Sequence, residues 1–407
     1  MKSNWQTKKL GEICDFHNGL WKGKKPPYIE VGVIRNTNFT KDGELDDANI
    51  AYLDVEKKQF EKRKLSYGDI VLEKSGGGPK QPVGRVIIFD KKEGDFSFSN
   101  FTSVIRIKRK DQIDFKYLHK YLFFSYITGV TETMQSHSTG IRNLDFKLYK
   151  EIEIPLPPFP EQHRIVKILD EVFEKTTKAK ENAEKNLQNA RELFESYLQN
   201  VFTNPGDGWE IKRLGEVCEL KSGTTISSSL ERDKGDVLYT KIADMNLPEN
   251  LIEINTSSRF ADSNEIKKNQ IIPEGAIIFP KRGGAIATNK KRKIVKPTIV
   301  DLNTMAIIPG KKIDKNYLFF WFQLIDLNDI SNGTSIPQIN NYSFDEVYIP
   351  YPKSLPEQQR IVFRLDVLSA ETKKLEVIYQ QKLGNLEELK KSILHKAFKG
   401  ELIGVQL

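Results

Sequence analysis

The chain has 407 residues, 38% of them hydrophobic and 29% charged, a composition typical of globular proteins. At roughly 100–200 residues per domain, this length allows several domains. No run approaches the roughly 18 apolar residues that cross a bilayer, and the N-terminus lacks the apolar core of a signal peptide. We therefore expect a cytoplasmic protein without membrane contact, and the formal net charge of +8 favours a polyanionic partner.

Short apolar, β-branched runs separated by Gly, Pro, Asn and Asp occupy the first part of the chain. Such runs predict β-strands, here at residues 69–72, 86–89 and 103–107. An aromatic-rich segment at 115–126 predicts a buried helix. From Glu161 to Val201, apolar or small residues recur every three or four positions and predict a long amphipathic helix, with Pro160 in its first turn.

The second part of the chain repeats this order. Strands are predicted at 276–279 and 304–308, a helix at 315–324, and a second long helix from Glu357 with an apolar stripe from Ile361 to Ala397. Each long helix would extend roughly 60 Å at about 1.5 Å per residue, and neither can bury its stripe alone. We therefore predict that the two helices pair as an antiparallel coiled coil, because the chain leaves along one helix and returns along the other.

Two sets of motifs show that the chain is internally duplicated. The opening Trp5…Leu10-Gly11-Glu12 returns as Trp209…Leu214-Gly215-Glu216, an offset of 209 − 5 = 204. Ile-Pro-x-Pro followed by Pro-Glu-Gln-x-Arg-Ile-Val occurs at 154–166 and again at 349–362. This period is far longer than the roughly 20–50 residues of solenoid repeats. We predict an α+β fold with two pseudo-twofold-related globular α/β domains at 1–155 and 205–350, separated by long helices at 156–204 and 351–407.

Motifs that would indicate catalysis or metal binding are missing from the sequence. It contains no phosphate-binding loop, no H-E-x-x-H, no C-x-x-C and no dinucleotide fingerprint. Cys14 and Cys218 are repeat-equivalent, and we expect each to be a small buried apolar residue. Lys25-Pro26-Pro27-Tyr28 resembles the D/N-P-P-Y motif of adenine methyltransferases, but lysine occupies the position that must accept from the target amino group. We predict no catalytic residue, no metal and no cofactor.

Candidate DNA contacts cluster in both domains, because Arg and Lys donate to guanine and Asn or Gln pair with adenine. The strongest pair is Lys74 and Lys281, each followed by glycines at an offset of 207. By contrast, residues 161–200 carry eight acidic and seven basic side chains, which predicts a solvated helix surface. The candidates of the first domain are Trp21, Lys22, Lys24, Lys25, Arg35, Asn36, Lys74, Lys80, Gln81, Arg85, Arg142 and Asn143. Those of the second are Lys241, Lys281, Arg282, Asn289, Lys290, Lys291, Arg292, Gln338, Asn340 and Asn341.

The whole chain resembles the specificity subunits of type I restriction–modification systems. The resemblance rests on the paired Trp-x4-Leu-Gly-Glu openings, on Thr139-Gly140-Ile141 and Thr334-Ser335-Ile336, and above all on the doubled Pro-Glu-Gln junctions. It implies that each domain reads one half of a bipartite double-stranded DNA site. It also implies that the helices set the half-site spacing and dock two methyltransferase subunits, with restriction (translocase–nuclease) subunits joining for cleavage.

Two other classes of function remain open at this point. A self-sufficient DNA methyltransferase or nuclease would need the cofactor or metal motifs that the sequence lacks. A protein scaffold would use its basic patches for solubility only, and its affinity for DNA would not fall steeply with salt. Residues 22–35 and 224–241 occupy equivalent places yet share almost nothing, which favours two domains that read different half-sites.

Overall fold

A computed structural model describes residues 5–20, 25–78, 81–138, 140–333 and 335–402. The chain forms two compact units, one from Met1–Glu184 with Gln381–Leu407 and the other from Lys185–Gln380. Each unit contains one globule and a part of each long helix.

Unit 1 is built from short strands and a buried helix. The helices of its globule are α1 Leu10–Ile13, α2 Lys57–Lys62, α3 Phe115–Ile127 and α4 Phe146–Lys150, and the long helix α5 spans Phe159–Thr203. The strands are β1 Gln6–Lys9, β2 Cys14–Asn18, β3 Tyr28–Ile34, β4 Ala51–Glu56, β5 Asp69–Glu73, β6 Ser75–Gly77, β7 Val86–Phe89, β8 Phe96–Phe98, β9 Thr102–Ile107, β10 Gln135–Ser138, β11 Ile141–Leu144 and β12 Glu153–Leu156.

These strands form four small sheets. The central sheet is antiparallel with the order β2-β9-β5-β7, and α3 packs against it. A second sheet, β4-β3-β8, contains the parallel pair β3–β8. The remaining sheets are β10-β11-β6 and the pair β1–β12, which joins the two ends of the globule. The strands predicted at 69–72, 86–89 and 103–107 are all present.

Unit 2 repeats the arrangement, with β15 shorter (four residues) than its counterpart β3 (seven residues). Its helices are α6 Leu214–Val217, α7 Lys315–Gln323 and α8 Leu355–Phe398. The strands are β13 Trp209–Arg213, β14 Cys218–Ser222, β15 Val237–Thr240, β16 Glu253–Ile254, β17 Phe260–Ala261, β18 Ile277–Pro280, β19 Arg292–Ile294, β20 Thr298–Val300, β21 Thr304–Pro309 and β22 Tyr348–Pro352.

Strand pairing confirms the duplication that the sequence predicts. The order β14-β21-β18-β19 reproduces β2-β9-β5-β7, β15 pairs in parallel with β20 as β3 does with β8, and β13–β22 matches β1–β12. Cys14 and Cys218 begin equivalent strands and are buried. Burial raises the pKa of each thiol to about 12, so both behave as small apolar residues.

The two long helices run antiparallel within each unit. In unit 1, Arg164 of α5 donates to the carbonyl of Leu402 at 3.2 Å, while Lys180 of α5 lies 3.8 Å from Glu387 of α8. In unit 2, Arg191 of α5 pairs with Glu376 of α8 at 3.1 Å. Residue numbers rise along one helix as they fall along the other, which confirms the predicted antiparallel pairing.

Both helices begin two residues before the predicted Glu161 and Glu357, so each proline lies in the first turn as expected. The stripe of α5 is buried or half-buried throughout, from Ile165 to Val201. The stripe of α8 is less continuous, because Leu375 and Leu389 are exposed.

A buried glutamine joins the globule of unit 1 to its long helix. Gln162 is fully buried, and its Oε1 accepts from the backbone N–H of Asp114 at 2.9 Å. Its Nε2 donates to the carbonyls of Gln112 at 3.0 Å and Pro157 at 2.9 Å. One amide therefore connects the start of α5 to the loop before α3 and to the end of the β12 segment.

Unit 2 contains the same junction with the same geometry. Gln358 accepts from the N–H of Asp314 at 2.8 Å and donates to the carbonyls of Lys312 at 2.9 Å and Pro352 at 2.8 Å. In addition, Tyr117 and Tyr317 donate to the carbonyls of Pro155 and Pro350. The Ile-Pro-x-Pro and Pro-Glu-Gln motifs thus repeat because they form the same buried contacts twice.

Replacing this glutamine should destabilise unit 2 strongly. Gln358→Ala leaves the buried carbonyl of Pro352 and the partly buried N–H of Asp314 and carbonyl of Lys312 without their partner, and we expect a loss of about 2–4 kcal/mol in the free energy of unfolding. The control is Gln359→Ala, which alters an exposed side chain in the same turn. Urea unfolding followed by circular dichroism measures both. Equal midpoints for the two variants would contradict a structural role for the buried amide.

Candidate nucleic-acid interface

Lys74 stands where three segments of unit 1 converge, between β5 and β6. Its Nζ donates to Asn18 Oδ1 at 2.8 Å, at the end of β2. Its backbone N–H donates to the carbonyl of Phe101 at 3.0 Å, and its carbonyl accepts from Leu144 of β11 at 2.8 Å. Partial burial lowers the pKa of the ammonium. The lysine is therefore held in place by its neighbours and is not a freely moving surface side chain.

Lys281, which follows β18, occupies the same position in unit 2. Its Nζ donates to Ser222 Oγ at 3.0 Å, at the end of β14. Its backbone N–H donates to the carbonyl of Asn303 at 2.8 Å, and its carbonyl accepts from Ile339 at 2.9 Å. The two lysines that the sequence pairs at an offset of 207 are thus structurally equivalent.

A glycine follows each of the strands that contact these lysines. A Cβ on Gly19 would lie 1.8 Å from the carbonyl oxygen of Ser99, and one on Gly223 would lie 2.0 Å from that of Asp301. Only glycine permits such an approach, since real Cβ atoms do not come so close to backbone. The glycine therefore fixes the strand end that carries Asn18 or Ser222.

Other predicted contacts join Lys74 in unit 1. Asn36 Nδ2 donates to the carbonyl of Ser75 at 2.7 Å, and Ser75 Oγ donates to Asn143 Oδ1 at 2.6 Å. β6 pairs with β11 through the same residues. Asn36, Lys74 and Asn143 come from distant parts of the chain, and the fold brings them into one polar cluster.

In unit 2 the corresponding strand segment brings Lys281 and Arg282 beside Gln338. Arg282 and Gln338 pair as an antiparallel bridge, and Gly283 donates to the carbonyl of Pro337 at 2.8 Å. Arg282 is exposed. Two residues beyond the bridge, Asn340 Nδ2 donates to the hydroxyl of Tyr342 at 3.0 Å. Here too a lysine, an arginine and amide side chains share one surface.

Four of the predicted DNA contacts instead form ion pairs or hydrogen bonds within the protein. Arg85 forms a bidentate ion pair with Glu73 at 2.7 and 2.9 Å and donates to two backbone carbonyls. Asn289 Oδ1 accepts from the N–H of Leu327 at 3.1 Å. Lys291 and Arg292 are only 3% and 9% exposed.

Burial changes the chemistry of the last two residues. Desolvation lowers the pKa of Lys291 to about 8, and its Nζ donates to the carbonyl of Ile325. Desolvation also lowers the pKa of Arg292, whose guanidinium donates to the carbonyls of Lys291 and Met245. A basic run in the sequence therefore contributes packing and backbone hydrogen bonds, and the polar groups of these residues are directed to the protein interior.

The remaining candidates lie nearer the surface. Lys25, Arg35, Gln81 and Asn341 are exposed, and Arg142 is half-buried. Lys241 pairs with Glu231 at 3.2 Å and lies over the ring of Tyr239, while Lys290 bonds to Asn246. Trp21, Lys22, Lys24 and Lys80 lie outside the described residues, as do Thr139 and Thr334.

The structure also adds residues that the sequence did not single out. Asn18, Ser75 and Ser222 position the predicted contacts, and the exposed aromatic residues Phe101 and Tyr52 lie in the same region of unit 1. Phe101 follows a strand in a turn, and an exposed aromatic residue there is a detectable signal in a nucleic-acid-binding protein.

Within the described ranges, no group of three or more His, Cys, Asp or Glu side chains is arranged to hold a metal ion. Across those same ranges, none of the helices combines the length and apolar character that a membrane span requires.

Comparison with known proteins identifies the family of the chain. A family described as the type I restriction modification DNA specificity domain matches residues 2–189 and 206–382. The MjaVIII type I restriction enzyme specificity subunit of Methanocaldococcus jannaschii is 24% identical, over 98% of this chain and 93% of the relative. The EcoDI specificity subunit of Escherichia coli is 37% identical over 97 residues, which are 23% of this chain and 22% of the relative.

Solved structures share the fold. A chain from a study of complex assembly and conformational transition of the type I R-M system superposes with a TM-score of 0.79 at 20% identity, covering 99% of this chain and all of that one. The HsdS subunit of Thermoanaerobacter tengcongensis gives a TM-score of 0.63 at 20% identity, covering 98% and 97%. The two matched segments cover most of the sequence, so the chain belongs to the specificity subunits of type I restriction–modification systems.

Proposed function

We propose that the chain is the sequence-recognition subunit of a type I restriction–modification complex. Residues 1–155 and 205–350 each read one half of a bipartite double-stranded DNA site. The helices at 156–204 and 351–407 set the spacing between the half-sites and dock two methyltransferase subunits, and restriction subunits join for cleavage. We assign the complex to the cytoplasm and assign no cofactor to this chain.

The observation that carries this proposal is a lysine that both units hold by the same contacts but surround with different side chains. Lys74 and Lys281 make equivalent contacts to a strand end, a turn and a later backbone segment, at Leu144 in unit 1 and Ile339 in unit 2. The side chains beside them differ, with Asn36 and Asn143 in unit 1 but Arg282 and Gln338 in unit 2. A constant cation suits the constant phosphate backbone, and variable neighbours suit two different base sequences.

Positioning makes each lysine a good contact for DNA. An ammonium carries three N–H donors, so one bond to Asn18 or Ser222 does not exhaust its capacity. The proposed set is completed by residues of unit 1 and unit 2 that lie at or near the surface. They are Lys25, Arg35, Asn36, Gln81, Arg142, Asn143, Lys241, Arg282, Lys290, Gln338, Asn340 and Asn341.

Helix α8 offers a surface for docking a protein in unit 2. Phe363 and Val377 are 67% and 63% exposed, and Val367 and Ile378 are also exposed on the same helix. At about 100° per residue, these four side chains fall within an arc of about 100° and so lie on one helical face. At the offset of 196 that relates the helices (358 − 162), the equivalents of Phe363 and Val367 in α5 are the charged Lys167 and Glu171. An apolar face suits a methyltransferase subunit that remains bound.

In this proposal the partner subunits, and not this chain, catalyse methyl transfer and cleavage. The purified chain should therefore transfer no methyl group to DNA, whereas a self-sufficient methyltransferase would do so alone. A scaffold without DNA affinity is the second alternative, and a gel-shift series across salt separates it from a DNA binder.

Mapping methylated adenines tests the function directly. The chain is co-expressed with its methyltransferase subunit, and genomic adenine methylation should reveal one sequence with two specified halves and a fixed gap.

Matched four-residue insertions after Glu184 and Gln380 fall between the ion pairs Lys180–Glu387 and Arg191–Glu376, so both pairs are kept. This variant should alter the gap and leave the half-sites unchanged. A single contiguous site in the mapping would refute reading of a bipartite sequence. An unaltered gap in the insertion variant would refute the spacer role of the helices.

Removing either lysine should weaken DNA binding in a salt-dependent way. Loss of one phosphate contact in Lys74→Ala or Lys281→Ala should lower affinity about five- to tenfold and reduce the slope of log affinity against log salt by about one. The control is Lys178→Ala, because Lys178 lies on α5 in an exposed pair with Glu174. Fluorescence anisotropy of the assembled methyltransferase measures all three variants. An equal effect of Lys178→Ala would point to net charge alone.

The docking surface can be tested at repeat-equivalent positions. Phe363→Ser should weaken assembly with the methyltransferase subunit by about tenfold, because it removes the most exposed apolar side chain of the α8 face. Lys167→Ser is the matched control on α5. Analytical ultracentrifugation of the mixed subunits gives the assembly constants. Unchanged assembly of Phe363→Ser would exclude this face from the interface.

A further inference from the structure

Phe101 lies at the centre of the polar cluster of unit 1, in the turn between β8 and β9. Its carbonyl accepts from the N–H groups of both Lys74 at 3.0 Å and Ser75 at 3.2 Å. Its side chain is 46% exposed. A Cβ placed on Gly76 would lie 3.5 Å from Phe101 Cδ1, so the ring sits directly beside the glycine that follows Ser75.

The ring also borders a cavity of about 800 Å³ in unit 1. Its described lining is mixed, with polar side chains from Arg35, Asn36, Thr37, Asp54, Ser99 and Asn100. Asn36 Oδ1 and Ser99 Oγ are themselves buried and have no hydrogen-bond partner in the part of the chain that the structure describes. The apolar side chains are Leu20, Val33, Leu53, Val55 and Phe101, with Tyr52 beside them. An apolar wall thus adjoins a polar edge at the place where the DNA contacts gather.

Unit 2 has a polar residue at the equivalent position. Asn303 uses its carbonyl to accept from Lys281, as Phe101 does from Lys74, and its side chain donates to Asp301 at 3.0 Å. The lysine is therefore constant between the units while the neighbouring side chain changes from aromatic to amide. This is the pattern expected of a residue that distinguishes the two half-sites.

We propose that the exposed ring of Phe101, at the edge of this cavity, contacts the 5-methyl group of a thymine in the half-site read by unit 1. This inference rests on the proposed function and names one base contact within it. Among the four unmodified bases, thymine alone presents a methyl group in the major groove, and apolar side chains such as Phe read it by contact. Burying one such group contributes about a fourfold gain in affinity.

The test uses DNA that differs only by this methyl group. Duplexes carrying the mapped site are made with each thymine of either half-site replaced singly by deoxyuridine, and their affinity for the assembled methyltransferase is measured. One replacement in the half-site of unit 1 should lower affinity about fourfold. Phe101→Ala should bind the thymine and deoxyuridine duplexes equally at that position, while Phe101→Leu should keep part of the difference.

A matched control and a folding check accompany these variants. Tyr67→Ala removes a similarly exposed ring that packs against Phe115 away from the cavity, and it should leave the deoxyuridine effect intact. Thermal unfolding shows whether Phe101→Ala is folded. The deoxyuridine series with the unaltered protein needs no variant and stands by itself.

Three results would overturn the inference. The first is a half-site without thymine, and the second is a series in which no deoxyuridine lowers affinity. The third is an equal loss for Phe101→Ala on both duplexes with the deoxyuridine effect still present, which would mean that the ring acts in another way, such as insertion between bases. Failure of the proposed function looks different, because the complex would then show no preference for any sequence.

Discussion

The structure of each unit depends on one buried amide. Gln162 and Gln358 each connect the first turn of a long helix to the loop before the aromatic helix and to the end of the last strand or the residue after it. A buried amide that loses a partner is costly, so the helix can leave its globule only where all three bonds form. The Pro-Glu-Gln motif is thus a geometric constraint on the junction between globule and helix.

Duplication preserves interactions more faithfully than it preserves residues. The interhelical pair Lys180–Glu387 of unit 1 corresponds to Glu376–Arg191 of unit 2, since 376 − 180 and 387 − 191 both equal 196. The charges are exchanged, yet attraction is kept at both places. Exposed pairs of this kind stabilise by only about 0–1 kcal/mol each. These ion pairs therefore affect the register in which the two helices pair more than they affect the stability of the pairing.

Periodicity and motif spacing predicted the fold well because burial follows them directly. The strands at 69–72 and 304–308 and both long helices lie where the apolar pattern places them. The residues predicted for the site differ in exposure, because the charge of a residue in the sequence does not tell whether its side chain points to solvent or to the interior. Lys291 and Arg292 belong to the basic run 290–293 yet are buried. Arg292 lies on the buried face of strand β19, while Lys291 precedes the strand, packs over the ring of Phe322 and donates to the carbonyl of Ile325. Phe101 shows the converse, an apolar residue that the fold leaves exposed.

The proposed DNA-contact surface combines charge with rigidity. A lysine that must be ordered on binding loses rotamer freedom, roughly 0.5–1.5 kcal/mol for a flexible side chain, and this loss opposes binding. Lys74 and Lys281 are already held by Asn18 and Ser222, whose strand ends are fixed by Gly19 and Gly223. The cost of ordering is thus met during folding. A pre-ordered cation can also fix the register of the backbone, and neighbouring side chains such as Phe101 and Asn303 are then free to differ without disturbing it.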